Sequence, residues 1–304
     1  MDLDLAQLRA LRAAVDTGTL EGAARALHVT PSAVSQRLKA LEQATGRVLL
    51  VRSRPVQVTE PGRAVLRLAR QLDLLAADAA RELSPDAEGP VVLPVAVNAD
   101  SLSTWLLPAL AGLDDDVLLD LRRADQDDTA ALLRDGTVVA AVTAGARPVP
   151  GCTSTPLGVL RYRPAASPAF AQRWFADGPT SAALARAPVV DFDRDDDLQR
   201  GWLRRQTRGR AEPPGHVVPS TEGFVLAVQA GLGWGMLSEL QLADPALRRS
   251  VVLLDADAVV DVALHWQRWK LRSPSLERLT EVVLAGGRAA LVPGRTVGAM
   301  TENP

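Results

Sequence analysis

Cysteine is almost missing from this 304-residue chain: Cys152 stands alone, which excludes an internal disulfide and any cysteine-cluster metal site and fits a reducing compartment. Long apolar runs are missing too. No stretch approaches the roughly 18 uninterrupted apolar residues of a membrane helix, and the N-terminus MDLDLAQLRA carries Asp2 and Asp4 where a secretion signal would be basic. A cytoplasmic protein without membrane contact is therefore expected. His28, His216 and His265 are far apart, with no second ligand at metal spacing, so neither a metal nor another cofactor is expected. There is no G-x-S-x-G elbow. GLGWG at 231–235 lacks the spacing of a nucleotide loop and precedes a strand where such a loop should open a helix, so it reads as a turn; DRDDD at 193–197 reads as a solvated helix start. With no nucleophile and base at recognisable spacing, an enzyme is not expected.

What remains is a soluble, globular composition, 47% hydrophobic and 23% charged, in a chain too long for one ordinary core. The net charge of −2 hides an asymmetry. Residues 1–63 hold nine basic against six acidic side chains, and the rest holds 25 against 30. A mildly basic head on an acidic body is what a polyanion-binding module joined to something else would look like.

Periodicity divides the chain further. Leu5, Leu8, Leu11 and Val15 mark a first helix that stops at Gly18, LEGAARALH forms a second, and TPSAVSQRLKALE opens a third with Thr30 as N-cap and Pro31 at the first helical position. In the third, Val34, Leu38 and Leu41 form a buried stripe, opposite Ser32, Ser35, Gln36 and Lys39. After Gly46, RVLLVRSRPVQVTEPG reads as a two-stranded wing. Two short helices joined by a tight turn, the second polar on its outer face, make a helix-turn-helix. Residues 63–83 place Val65, Leu68, Leu72, Leu75 and Ala79 at heptad spacing, either a seam for a second chain or the face of a helix lying on its own domain. SPDAEGP (84–90) reads as a linker. From residue 91 strands alternate with helices (VVLPVAV, a strand buried on both faces, then SLSTWLLPALAGL, VLLDLRR, TAALLRDG, VVAAVT, and a second cycle from APVVDF), which implies parallel sheets with helices on both sides in two α/β lobes. Trp174, Trp202, Trp234, Trp266 and Trp269 read as core or lobe-contact residues, and the tail from 293 to 304 as loose.

In this order of parts, and in the motifs AARALHVTPSAVSQRLKALEQATGRVLLVR and TEPGR, the chain resembles the LysR-type bacterial transcriptional regulators. VNADSLSTWLLPAL, DQD at 125–127, VVDFDRDDDLQ and STEGFVLAVQAG are similar to the ArgP/LysG branch, whose members sense lysine or arginine and control basic amino-acid export and metabolism; Ala124 stands where that branch carries an acid. The resemblance implies a winged helix-turn-helix over 1–62, a linker and dimerisation helix with hinge over 63–89, and a two-lobed, periplasmic-binding-protein-like α/β domain over 90–292. Lobe 1 would span about 90–162 and 263–292, and lobe 2 about 163–262. It also implies a homodimer or tetramer, double-stranded promoter DNA, a small effector between the lobes and contact with RNA polymerase.

On the third helix, Ser32, Ser35 and Gln36 are assigned to the DNA groove, and Arg37 and Lys39, with Arg52 and Arg54 of the wing, to phosphates, Thr30 being counted with the DNA-binding residues; a solvated helix face is the bland alternative. At the carboxyl end of VVLPVAV, Asn98 and the free amides of Ser101, Leu102 and Ser103 at a helix N-terminus suit a carboxylate. Asp100, Asp125, Asp193 and Glu222 are the candidates for the cationic groups of an amino acid, with Trp105 as an apolar wall and Thr143 nearby. Asp100 or Ser101 acting only as a helix cap is the alternative there. A solute-binding receptor or transport component is the competing function, since the two-lobed body alone would look like one, but it has no use for a DNA head.

Overall fold

The computed structural model describes residues 3–83, 89–124, 126–194, 196–209 and 211–294. Most of the SPDAEGP linker, Asp125 and nearly all of the tail lie outside the described residues.

Three helices open the chain: α1 (Leu5–Thr17), α2 (Leu20–Ala26) and α3 (Pro31–Thr45). Each start is fixed by an oxygen that accepts from the first turn, Asp4 from Gln7, Thr19 from Gly22 and Thr30 from Ala33. Gly18 and Gly46 end α1 and α3 in the left-handed region, at φ 70° and 64°. The wing is β1 (Leu50–Val51) paired antiparallel with β2 (Gln57–Val58). Leu8, Leu11, Val34, Leu38, Leu41 and Leu49 fill a core belonging to this head.

Helix α4 (Glu60–Leu83) begins three residues earlier than the sequence pattern suggests. Its buried stripe is Gly62, Leu66, Ala69, Leu74 and Asp78 rather than the heptad positions. It lies on its own chain, with Leu66 and Ala69 in the head core and Leu74 in the core of the body. Val65 and Leu72 are partly covered by the head, while Leu68 and Ala79 face outward. Glycine at 62 is a packing requirement, since a Cβ there would overlap the carbonyl oxygen of Leu49 and approach Val58 Cγ1 to 2.9 Å.

The body opens with β3 (Val91–Val97), then α5 (Ala99–Ser101), a π turn (Leu102–Leu106) and α6 (Leu107–Leu110) as one helical run, β4 (Val117–Arg123), α7 (Gln126–Asp135) and β5 (Ala140–Thr143). It continues with β6 (Cys152–Ala166), α8 (Pro168–Trp174), α9 (Ser181–Leu184), β7 (Val189–Asp191), α10 (Leu198–Thr207), β8 (Gly215–Val217), α11 (Thr221–Gln229) and β9 (Gly235–Ser238). It closes with α12 (Glu239–Leu242), α13 (Pro245–Ser250), β10 (Val252–Leu253), β11 (Val260–Trp269) and α14 (Pro274–Ala290). Strands β4, β3 and β5 are parallel, as are β7 and β8.

The expectation of purely parallel sheets fails at β6. This strand runs antiparallel to β11 along all of the latter, and also to β9 and β10, so the main sheet is mixed. Val92 on β3 is 56% exposed, so that strand is covered on both faces only in its second half. Trp202, Trp234, Trp266 and Trp269 are core residues, with Trp174 packed at the margin.

Head and body meet along α4. The Arg70 guanidinium donates to Asp16 of α1 at 2.5 Å and to Thr137 Oγ1 at 3.2 Å and the Asp135 carbonyl at 3.4 Å at the end of α7. Arg67 donates to the Pro150 carbonyl, and Gly136, at φ 79°, lets α4 approach where a Cβ would lie 3.1 Å from the Arg67 Cα.

Candidate functional site

Two surfaces carry chemistry. On the head, Val34, Leu38 and Leu41 are buried, leaving Ser32, Gln36 and Lys39 exposed and Ser35 and Arg37 half-buried. Thr30 is exposed, with its hydroxyl engaged as the cap and 2.9 Å from Ser32 Oγ. Arg52 and Arg54 project from the wing; Arg54 lies 3.9 Å from Glu21 of α2, a fully solvated pair worth little. All eight side chains remain outside the head core. The helix thus offers short donors and acceptors on one side, with cations on and beside it.

In the body, a cleft of about 330 Å³ is lined by Asn98 and Asp100 at the end of β3, Tyr162 from β6, Asp193, Asp196 and Asp197 ahead of α10, Thr221 and Phe224 of α11, and Gln241 of α12. Four carboxylates line it and, among the described residues, no lysine or arginine does. They are not equivalent. Asp197 is paired with Arg204. Asp196 accepts from the amides of Phe192 (3.2 Å) and Leu198 (3.0 Å) and from Gln199 Nε2 (3.0 Å), which fixes the orientation of its carboxylate. Asp100 accepts the Tyr162 hydroxyl at 2.5 Å. Burial pushes the Asp100 carboxyl above its ordinary range, the Tyr162 hydrogen bond opposes this, and Asp196 adds to it. Burial and these same carboxylates push the Tyr162 phenol well up, so it stays a donor. Arg123, at the end of β4, is not part of the lining but stacks on one lining residue, its guanidinium 5.6 Å from the centre of the Phe192 ring, and donates to the Pro219 carbonyl.

Asn98, Asp100 and Asp193 line this cleft as the sequence suggests. The structure places the other candidates elsewhere. Asn98 is the N-cap and Leu102 N already donates to its carbonyl at 3.1 Å, so the free amides of the helix are those of Ala99, Asp100 and Ser101. Leu102 packs against the core, and Ser103 is exposed with its hydroxyl on the Asp100 carbonyl. Ser101 is fully buried and not part of the cleft lining, its hydroxyl without a partner among the described residues. Trp105 is buried beside Gly286 of α14, because the π turn rotates the residues within it relative to an α-helical projection. Thr143 is buried, its hydroxyl accepting from the Gly145 amide, and Glu222 is exposed while its neighbour Thr221 faces the cleft. Asp125 lies outside the described residues. Tyr162, Phe192, Asp196 and Gln241 were not anticipated. Tyr162 stands on the unrecognised β6, and the other three arrive from lobe 2 through tertiary folding.

The family model "Bacterial regulatory helix-turn-helix protein, lysR family" matches residues 5–63, and "LysR substrate binding domain" matches residues 92–288. The HTH-type transcriptional regulator LysG of Mycobacterium tuberculosis is 49% identical over 284 residues, covering 93% of each chain. The crystal structure of ArgP from Mycobacterium tuberculosis superposes with a TM-score of 0.90 at 47% identity, over 97% of this chain and 100% of that one. The full-length LysG of Corynebacterium glutamicum with bound effector Arg superposes with a TM-score of 0.79 at 39% identity, over 95% and 100%. Head, linker helix and two-lobed body are therefore matched together and in order, and the chain belongs to the LysR family of bacterial transcriptional regulators.

Proposed function

We propose that this regulator acts in the cytoplasm, has no enzymatic activity, and senses lysine or arginine to control genes of basic amino-acid export or metabolism. The observation that carries the reading is the cleft of four carboxylates with no basic side chain among its described lining, beside a helix N-terminus. A cation is favoured by the first, and an α-carboxylate by the second. Asp100 and Asp193 would take the ammonium or guanidinium groups, with Asn98 and the amides of Ala99 and Asp100 on the carboxylate side. The arginine held by the corynebacterial relative supports the same ligand class. Head, linker and lobes would divide at the boundaries expected from the sequence, and copies would pair as a homodimer or tetramer in part through the outward residues Leu68 and Ala79 of α4. Effector binding can favour one arrangement of these copies only by its difference in affinity between the two.

A thermal-shift screen against the twenty amino acids tests this. A ligand at 100 times its Kd adds about 2.7 kcal/mol, roughly 5–11 °C in Tm for a domain of this size. A shift confined to lysine and arginine is the expected result, and a shift with neutral or acidic amino acids alone would overturn it. On the head, Gln36→Ala is expected to relax sequence preference at a cost of about 1–3 kcal/mol per lost base contact, and Arg54→Ala to weaken binding to any duplex and lower the salt slope by about 1. Titrations of operator and scrambled DNA at two salt concentrations separate the two effects.

A further inference from the structure

We infer that Gln241 selects ligands bearing a carboxylate, by offering the cleft an amide donor in an orientation its own helix cap enforces. The inference rests on the reading of the cleft as a basic amino-acid site. Gln241 is the third residue of α12 and closes a capping box with Ser238. Its Oε1 accepts from the Ser238 amide at 2.8 Å and stands 3.0 Å from Ser238 Oγ, while its own amide donates to that hydroxyl at 3.2 Å. A backbone N–H must have an acceptor, so the oxygen of the side-chain amide faces Ser238 and Nε2 faces away. Nε2 makes no hydrogen bond to a described residue, and Gln241 lies where the cleft meets a second cavity bounded by Ser103, Trp105 and Gly286. Helix α12 abuts the π turn, which places Gln241 beside the helical run that begins at Ala99.

Glutamate would close the same box equally well. Helix stability therefore gives no reason for glutamine over glutamate here, and the difference between them lies in what is shown to the cleft: two N–H donors against a further carboxylate oxygen. In a cleft already lined by four carboxylates, a ligand's own carboxylate is repelled unless donors face it. Gln199, the other side-chain amide on the lobe 2 side, is unavailable because its Nε2 donates to the Val190 carbonyl and to Asp196. Gln241 thus joins the amides of the Ala99 helix start as a determinant of specificity for amino acids over amines that share the same cationic chain.

The test is calorimetric titration of the full-length protein with lysine and cadaverine, and with arginine and agmatine, each pair differing by the carboxylate. The wild type is expected to prefer the amino acid in both pairs. Gln241→Glu, which keeps the cap and so the Tm, is expected to lose at least about tenfold in affinity for the amino acids while binding the amines as well or better. Should Gln241→Glu fail to fold, Gln241→Met, which has neither donor nor charge, must still lower the ratio of amino-acid to amine affinity. An unchanged ratio in the folded variant overturns the role of Gln241 while leaving the site intact. A wild type that binds none of the four ligands overturns the basic amino-acid reading and this inference with it.

Discussion

Asparagine at position 100 is expected to raise the Kd for lysine or arginine by about 30-fold or more, the consequence of removing one charge from a desolvated pair at a cost of about 2–5 kcal/mol. Asparagine is the informative replacement because its oxygen can still accept from the Tyr162 hydroxyl, so the loss reports charge and not a broken wall. The protein without ligand should be no less stable for it near neutral pH. Burial raises the Asp100 pKa, so the folded state binds this proton more tightly than the unfolded chain does. The resulting penalty is fully present above the raised pKa and is relieved as pH falls toward the ordinary carboxylate range. The same shift sets the pH dependence of binding. A cationic ligand favours ionised Asp100, so below the raised pKa it must displace a proton, and wild-type affinity should fall with pH, approaching about tenfold per unit. Calorimetry across a pH series should show this slope in the wild type and its loss in Asp100→Asn. A wild-type level of affinity in the variant would remove Asp100 from the site.

Gly62→Ala is expected to destabilise the head while sparing the body. The added Cβ meets the Leu49 carbonyl, a backbone atom that cannot rotate away, so the wing must separate from α4 or the helix must shift. Overpacking of this kind costs about 1–3 kcal/mol, and a core as small as that of the head rarely supplies more than about 3–5 kcal/mol in total. Operator binding should weaken at physiological temperature, and the melting curve should gain an early transition. Effector titration should be unchanged, because the cleft residues draw on a different core. A single unshifted transition with intact operator binding would show that the wing can yield.

The head was legible almost to the residue because its signals are local. Thr30, Pro31, Gly18 and Gly46 act through caps and turns that need no partner from elsewhere in the chain. The parallel strands β3 to β5 were legible for a related reason, as short apolar runs between helices. Strand β6 was not. Pro156, Gly158 and Pro164 break its pattern, and what holds it extended is β11, about a hundred residues away. The cleft was half legible. Residues on the strand-to-helix turn after β3 could be placed, whereas Tyr162 was lost with β6, and Asp196 and Gln241 depend on how the second lobe folds back. At Trp105 a helix was recognised but its π turn was not, and the side chain is buried in the core. The heptad positions of α4 divide: Val65 and Leu72 are partly covered by the head, while Leu68 and Ala79 face outward, because each end of that helix rests on a different core.

The contacts of Arg70 bear on how a message could travel. One guanidinium links the first helix of the reading module to the end of α7 and the turn that follows it. Two such modules on a duplex must meet half-sites that recur about 34–36 Å apart, one helical repeat. A tilt too slight to disturb either module alone would then accumulate across the pair as a mismatch of pitch, and a metabolite could be read out as geometry along the promoter.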